Sequence, residues 1–507
     1  MNQPVSQAAG MTSPTPRPPS PVGVVGAGTM GAGIAQVAAV AGRRVLIADA
    51  APGAAERAVG QIRDRVKAAV AKGRLTVDPE DLDVTAASLA DFTACDVVVE
   101  AVVEDLAVKR QLFADLERVV SPDCVLASNS SSLSPTAMAA GLAHPGRLVG
   151  MHFFNPVPAM RLVEIISGLA TAPAVAGRAA ELAGEWGKTV VRSAATPAFI
   201  VNRIARPFYA EAWRLLEEHA AVPENIDAVL TAAGGFRMGP FALMDLIGHD
   251  VNEAVTRSVW AAFGHDPRFA PSLAQRALVE AGWLGRKAGR GVYPATPPPA
   301  TPAPPASAPA SVTVRGDSPL RPLLDRIGGA IAVADRDDTR ADAELPGGAL
   351  LACCTGVTAT SLSAAFERPV IVADRVLDSA TATAIAIAPS DGCPPAALAA
   401  AAGLFQAANL EVFAVDDVPG LIVTRTVAML ANLAADALAC RVASAADIDL
   451  AMRLGVNYPA GPLEWARRWG VRAVLTILDN LEDWYRDGHY RASPLLRRAA
   501  LSGGDLS

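Results

Sequence analysis

His152 and Glu164 close the two ends of HFFNPVPAMRLVE, one of only six histidines in the chain facing a carboxylate across an apolar segment. Between them, Asn155-Pro-Val-Pro158 carries turn chemistry, because proline fixes φ and asparagine tolerates unusual backbone angles. The flanks LVGMHFF and MRLVEII are strand-like. Folding them back about Pro158 makes neighbours of His152 and Glu164, which stand six residues to either side of it. A carboxylate on one imidazole nitrogen fixes the tautomer, raises basicity and stabilises the imidazolium. That is the layout of a general base with an orienting acid. The other reading is a structural His–Glu pair in a core. For an isolated pair that reading is the default; a nucleotide loop elsewhere in the chain tips the balance to the first.

Such a loop is present. Gly26-x-Gly28-x-x-Gly31 follows the apolar run Val22 to Val25, with Thr29 and Met30 inside it, and opens a segment rich in small residues. A second strand, Arg44 to Ala48, ends at Asp49, 18 residues after Gly31. A lone triplet of glycines also marks ordinary turns, but this context is that of a dinucleotide site. Gly26 permits the tight turn, Gly28 lets the backbone approach a pyrophosphate, and Gly31 lets helix and strand pack closely. The phosphates would meet free N–H groups at the helix N-terminus. Asp49 would accept hydrogen bonds from the ribose hydroxyls and repel a 2′-phosphate, which favours NAD over NADP.

Two more polar elements belong with these. Ser131, in Ser128-Asn-Ser-Ser-Ser-Leu133, comes after a strand at the carboxyl edge where doubly wound sheets bind ligands; its alternative is a serine-rich helix cap. Asn202, in PAFIVNR, sits in an otherwise apolar helix start, where a capping or buried structural amide is the alternative.

The rest of the chain supplies the elements that must position these groups. With 507 residues, half of them apolar, two or three domains are expected. The net charge of −7 and pI near 5.5 argue against a nucleic-acid binder. Six cysteines without CxxC spacing fit a reducing cytoplasm. The polar, proline-rich residues 1–20 lack an apolar signal core and read as a disordered tail, with Met11 as an alternative start. No uncharged apolar run is long enough to span a membrane. Strand–helix alternation over 21–195 predicts a Rossmann-like doubly wound α/β sheet, and long helical periodicity over 196–293 an all-α domain. Residues 294–316, nearly pure Pro, Ala, Ser and Thr at their start, read as an extended linker.

Beyond that linker the chain repeats itself. TPAFIVNR, ending at Arg203, resembles VPGLIVTR, ending at Arg425, a displacement of 425 − 203 = 222. The same displacement carries Ile226-Asp227 onto Ile448-Asp449, Gly239-Pro240 onto Gly461-Pro462 and Pro173 onto Pro395. An internal repeat is expected: a degenerate Rossmann remnant at 317–417 and a second helical domain at 418–507, without a glycine loop. The displacement sets Asp374 opposite His152, Ala386 opposite Glu164 and Thr424 opposite Asn202, so this copy would be catalytically dead. The two helical domains would dock as an internal pseudo-dimer, with a further homodimer left open.

The motifs VGVVGAGTMGAGIA, VVVEAVVEDLAVK, LASNSSSLS, GMHFFNPVPAMRLVEI, TPAFIVNR and GRKAGRGVY run in order over roughly residues 21–294. Together they resemble the L-3-hydroxyacyl-CoA dehydrogenases, which oxidise the 3-hydroxyl of a CoA thioester with NAD. The resemblance implies that His152 is the catalytic base and Glu164 its partner. Ser131 and Asn202 match substrate contacts, and Asp49, Glu104, Lys109, Asn155 and Lys287 match cofactor contacts. Lys72 or Arg74 would meet the CoA phosphates. Two positions depart from the family pattern: Ser130 stands for a usual threonine and Ala198 for a usual glycine. No metal, nucleic-acid or membrane partner is expected. Chains of this length with a truncated second copy are similar to the bacterial 3-hydroxyadipyl-CoA dehydrogenases of phenylacetate catabolism; 3-hydroxybutyryl-CoA is the close alternative substrate. A non-catalytic NAD-binding protein would not need His152, Glu164, Ser131 and Asn202 together. A dehydrogenase of free β-hydroxyacids would carry a helical lysine where this chain has HFFNP.

Overall fold

The computed structural model describes residues 20–328, 331–336 and 341–506, so all of the segment read as a disordered tail except Ser20 lies outside the described residues. The first sheet is assembled in the order β1 (Val22–Val25), α1 (Thr29–Val40), β2 (Val45–Ala48), α2 (Ala54–Ala71), β3 (Val84–Ala86), β4 (Val97–Glu100), α3 (Leu106–Val119), β5 (Val125–Ser128), α4 (Pro135–Ala139), β6 (Leu148–Phe153), β7 (Leu162–Ser167), α5 (Pro173–Glu185) and β8 (Thr189–Ala194). Its strand order is β3-β2-β1-β4-β5-β6-β7-β8. The winding reverses between β1 and β4, which opens a crevice at their carboxyl ends. β1, β2, β4 and β5 are buried along their whole length. They read as nearly continuous apolar runs because helices cover both faces of a parallel sheet. The single antiparallel pair is β6 with β7, joined by the Asn155–Pro158 turn.

Six helices come next: α6 (Val201–Ile204), α7 (Arg206–Glu217), α8 (Pro223–Ala232), α9 (Pro240–Ile247), α10 (His249–Ala262) and α11 (Leu273–Glu280). Proline in the first turn of α7, α8 and α9 starts each at no hydrogen-bonding cost.

The second sheet comprises β9 (Ser311–Arg315), α12 (Arg321–Leu324), β10 (Ala332–Arg336), β11 (Ala343–Glu344), β12 (Leu350–Cys353), α13 (Ala359–Phe366), β13 (Val370–Ala373), β14 (Ala384–Pro389), α14 (Pro395–Ala407) and β15 (Glu411–Ala414). Its order is β10-β9-β11-β12-β13-β14-β15. The chain ends in α15 (Val423–Ala439), α16 (Ala445–Gly455), α17 (Pro462–Trp469), α18 (Val471–Tyr485) and α19 (Pro494–Ser502). β13, β14, α14, β15, α16, α17 and α18 each begin 222 residues after β6, β7, α5, β8, α8, α9 and α10.

The proline-rich segment departs from the expected free linker. Thr301 N–H donates to Asn225 Oδ1 at 2.8 Å, Ala303 N–H to Val412 O at 2.7 Å and Ala306 N–H to Gln406 Oε1 at 2.8 Å. Its last residues form β9, inside the second sheet. An extended Pro/Ala chain has solvated, unpaired backbone groups. Here an edge strand and two amide side chains take them up, and the small side chains of Ala303 and Ala306 pack on the core of the second sheet.

Helices α6–α9 and α15–α19 share one core. α15 is buried on nearly every side and packs along α7, as expected of a helix apolar all round. The same cluster takes in Leu162 and Val191 of the first sheet and Val370 and Val372 of the second.

Candidate active site

The register of β6 and β7 sets His152 directly opposite Glu164. The imidazole Nδ1 lies 2.5 Å from Glu164 Oε2, and both residues are buried. The other carboxylate oxygen, Oε1, accepts the N–H groups of Ile200 and Val201, each at 3.1 Å. These open α6, which has no other side-chain cap. With Nδ1–H donated to Glu164, Nε2 keeps its lone pair and is the atom able to take a proton. The ring lies against Phe154 and Phe199, with centroids 4.5 and 5.7 Å away, so its surroundings are apolar. Asn129 Oδ1 accepts Phe153 N–H at 2.9 Å and fastens the end of β6 to the loop after β5.

Ser131 and Asn202 come together in one cavity of about 220 Å³ with Glu104, Ala198, Val255 and Ser258. Its walls belong to the sheet domain on one side and to α6 and α10 on the other. Ala198, where the family pattern has glycine, adopts φ 62°, and Phe199 comes next at φ 51°. A non-glycine residue held there costs about 1–2 kcal/mol. This strained bend delivers the first N–H groups of α6 to Glu164.

A second, larger cleft of about 600 Å³ lies at the carboxyl ends of β1, β2 and β4, lined by Gly26, Gly28, Asp49, Ala101 and Val102 among others. A Cβ on Gly26, whose φ is +103°, would meet Ala101 O at 2.4 Å, and one on Gly31 would meet Gly26 O at 1.8 Å. Around Gly28 nothing lies within 4 Å. Gly28 caps α1 without any side-chain bond, with Thr29 and Met30 in its first turn. The helix therefore keeps its N-terminal N–H groups for a phosphate. Asp49 accepts Ala27 N–H at 2.7 Å and Ala51 N–H at 2.8 Å, which ties the glycine loop to the end of β2. Open space at Gly28, uncapped N–H groups and a carboxylate at the second strand end fit a dinucleotide.

The other expected contacts fall less uniformly. Lys109 is only 1 % exposed and bridges Glu100 at 2.5 Å and Glu104 at 3.2 Å. Glu100, which sequence reasoning passed over, also accepts Ser128 Oγ and Val102 N–H. Its signal was a carboxylate closing the apolar run VVVE. Glu104 accepts Ser130 Oγ and both N–H and Oγ of Ser132. Burial pushes the Glu104 carboxyl up, but these hydrogen bonds and the Lys109 ammonium outweigh it and hold the group below its ordinary value. Asn155 is exposed on its turn. Lys287 pairs with Asp250 at 2.5 Å beside the α9–α10 junction. Neither lines the cofactor cleft or the smaller cavity. Lys72 and Arg74 stand exposed at and just beyond the end of α2.

The model of the 3-hydroxyacyl-CoA dehydrogenase NAD-binding domain matches residues 21–196, and that of the 3-hydroxyacyl-CoA dehydrogenase C-terminal domain matches twice, at 199–295 and 420–504. The chain belongs to the 3-hydroxyacyl-CoA dehydrogenase family. Between those two matches, residues 351–419 fit a 3-hydroxybutyryl-CoA dehydrogenase reduced Rossmann-fold domain. The 3-hydroxyadipyl-CoA dehydrogenase of Escherichia coli (strain K12) is 43% identical over 95% of this chain and 97% of its own. A crystal structure described as 3-hydroxybutyryl-CoA dehydrogenase from Escherichia coli K12 superposes with a TM-score of 0.87 at 42% identity, covering 95% of this chain and 99% of its own. A probable 3-hydroxybutyryl-CoA dehydrogenase of Deinococcus radiodurans is 41% identical but aligns with only 54% of this chain and 98% of its own. As a 3-hydroxyacyl-CoA dehydrogenase the chain is an NAD-dependent oxidoreductase, and no helix among the described residues is long and apolar enough to cross a membrane.

Proposed function

We propose that this chain oxidises (S)-3-hydroxyadipyl-CoA to the 3-oxo thioester in the cytoplasm, as a step of phenylacetate degradation. The observation that carries the acyl chain is the similarity to the E. coli 3-hydroxyadipyl-CoA dehydrogenase, which runs through both halves. The Deinococcus 3-hydroxybutyryl-CoA relative aligns with only 54% of this chain. A second reading, 3-hydroxybutyryl-CoA, is favoured by the description of the full-length solved relative. Turnover of the two thioesters, followed at 340 nm under identical conditions, separates them. A kcat/KM for 3-hydroxybutyryl-CoA equal to or above that for 3-hydroxyadipyl-CoA overturns the first reading.

In the proposed mechanism His152 Nε2 takes the hydroxyl proton, with Glu164 holding the ring and stabilising the imidazolium. Ser131 and Asn202 hydrogen-bond the substrate oxygens and hold C3 in place. NAD, when bound, supplies the hydride acceptor. A positioned base of this kind contributes about 10²–10⁴-fold. Gly26, Gly28, Thr29, Met30, Gly31 and Asp49 would hold the cofactor; Lys72 and Arg74 are the candidate cations for the CoA phosphates. Asp49→Ala should weaken NAD binding and relax discrimination against NADP, both through the ribose and by releasing Ala27. An unchanged ratio of kcat/KM for the two cofactors would remove Asp49 from cofactor choice.

The second half is proposed to be a degenerate copy docked as an internal pseudo-dimer. Two hydrogen bonds support this. Ala194 N–H donates to Val442 O at 2.8 Å, and Asp416 N–H to Ala220 O at 2.9 Å. Each position in the second bond is displaced by 222 from its counterpart in the first, 416 from 194 and 442 from 220. Such reciprocity is the signature of an isologous contact. Asp374, opposite His152 in the repeat, meets no imidazole. It accepts N–H groups from Ile422 and Val423, the counterparts of Ile200 and Val201. Only the helix-anchoring half of the work of Glu164 would survive there. Truncation after residue 295 should strip α15 from α7 and give a protein that aggregates or dimerises anew. A truncated chain that stays a fully active monomer by light scattering would sink the idea; the same run on the full chain tests for a further homodimer.

A further inference from the structure

Six arginines are buried among the described residues: Arg43, Arg147, Arg203, Arg206, Arg268 and Arg425. Five of them have a carboxylate oxygen within 3.4 Å, from Asp96, Glu117, Asp436, Asp266 and Glu218 respectively. That is the usual condition for keeping a guanidinium out of water. Arg206, only 5 % exposed, is the exception. Its Nε donates to Asn202 O at 2.9 Å and its Nη1 to Thr256 Oγ1 at 3.1 Å, and its head lies over the Tyr209 ring at 5.0 Å. Burial pushes this guanidinium below its ordinary value, and the only groups opposing that are the phenols of Tyr209 and Tyr458.

Arg206 adjoins the proposed substrate cavity through its neighbours, without itself being among the residues that line it. Asn202 lines that cavity, and Arg206 stands four residues later, about one helical turn or ~5.4 Å. Thr256, which holds Nη1, adjoins Val255, another wall residue. A second orphan lies nearby. The Tyr458 hydroxyl is buried and has no hydrogen-bond partner among the described residues. Its ring packs against Phe208 at 5.8 Å and Phe236 at 5.0 Å. A buried cation lacking a counter-ion and a buried hydroxyl lacking an acceptor have one complement in common, an anionic oxygen brought by a ligand.

We propose that Arg206, with the Tyr458 hydroxyl as a second donor, seats the distal carboxylate of a dicarboxylyl-CoA. This rests on the dicarboxylic reading of the substrate above. In 3-hydroxyadipyl-CoA the carboxylate lies three carbon–carbon bonds beyond the reacting carbon. A chain anchored at Asn202 therefore needs its cation close by, where Arg206 stands. The butyryl chain ends one carbon past the reacting centre and carries no charge to place there. Tyr458 comes from the second half of the chain, so that half would complete the acyl pocket although it holds no catalytic group.

The test is the ratio of kcat/KM for 3-hydroxyadipyl-CoA to that for 3-hydroxybutyryl-CoA in the full-length enzyme. Arg206→Leu should lower this ratio about 10- to 100-fold, the range of a charge-assisted hydrogen-bonded pair. Tyr458→Phe removes a hydroxyl that bonds to no protein atom, so it spares the fold and should lower the ratio ~3- to 10-fold. Arg206→Lys should fall between wild type and Arg206→Leu. A ratio within twofold of wild type in both Arg206→Leu and Tyr458→Phe overturns the assignment. Should Arg206→Leu fail to fold by circular dichroism, an unchanged ratio in Tyr458→Phe overturns it alone. A wild-type ratio at or below one removes the dicarboxylic reading instead, and a further fall in Arg206→Leu would still keep Arg206 in the acyl pocket.

Discussion

His152→Ala should lower kcat by about 10²–10⁴-fold, the contribution of a positioned general base, while NAD binding stays nearly intact. The expectation rests on location. The imidazole sits at the end of β6, held by Glu164 and packed against Phe154 and Phe199, and it does not line the cleft around Gly26, Gly28 and Asp49. Deleting it would therefore remove the proposed proton acceptor without touching the glycine loop. Stopped-flow absorbance at 340 nm gives kcat, and quenching of protein fluorescence gives the NAD affinity. Loss of NAD affinity with kcat unchanged at saturation would take His152 out of the mechanism.

Glu164→Gln is expected to lose as much, although the side chain keeps its shape. The carboxylate accepts from His152 with one oxygen and from Ile200 and Val201 with the other. A glutamine has one carbonyl oxygen for these two tasks. If that oxygen stays on the α6 amides, the NH₂ group faces Nδ1 and donates to it. The imidazole then carries its proton on Nε2, the atom that should accept one. A wrong tautomer of this kind is costly: in a serine protease, changing the buried Asp beside the catalytic histidine to Asn lowers kcat by about 10⁴. If the oxygen turns to His152 instead, the start of α6 and Asn202 lose their anchor. Either way kcat should fall ~10²-fold or more. A kcat and a pH–rate profile both matching wild type would refute the role given to Glu164.

The pairing of His152 with Glu164 was legible in the sequence because strands have a period of two and the turn residues are explicit. Once Asn155-Pro-Val-Pro158 is read as the turn, register leaves little freedom. The glycine loop was legible for a similar reason, since steric demands at Gly26 and Gly31 admit no side chain. The Glu100–Lys109 clamp joins the end of β4 to the helix that follows it; it was hidden because nothing local marks a lysine that will be buried. Arg206 was hidden for the same reason: its peculiarity is a missing partner, which only tertiary packing reveals. The strap at 301–306 read as a linker because its own composition drives no burial; the side chains of Asn225 and Gln406 that fasten it lie far away in sequence.

In the proposed pseudo-dimer, the positions 211 and 433 are related by the same displacement of 222 residues. Glu211 is fully buried and binds His489 Nε2 at 2.6 Å and Tyr490 Oη at 2.8 Å. Leu433, equally buried, packs with Ala198 and Val259 beneath the cavity that Ser131 and Asn202 line. Two identical subunits would have to place one residue type in both surroundings, and either the acid would lie unpaired under the active site or the polar cluster would lose its centre. Joining the copies in a single chain breaks that symmetry, so each side of the interface is free to evolve by itself, one as a lock between the halves and the other as an apolar floor for the proposed acyl site.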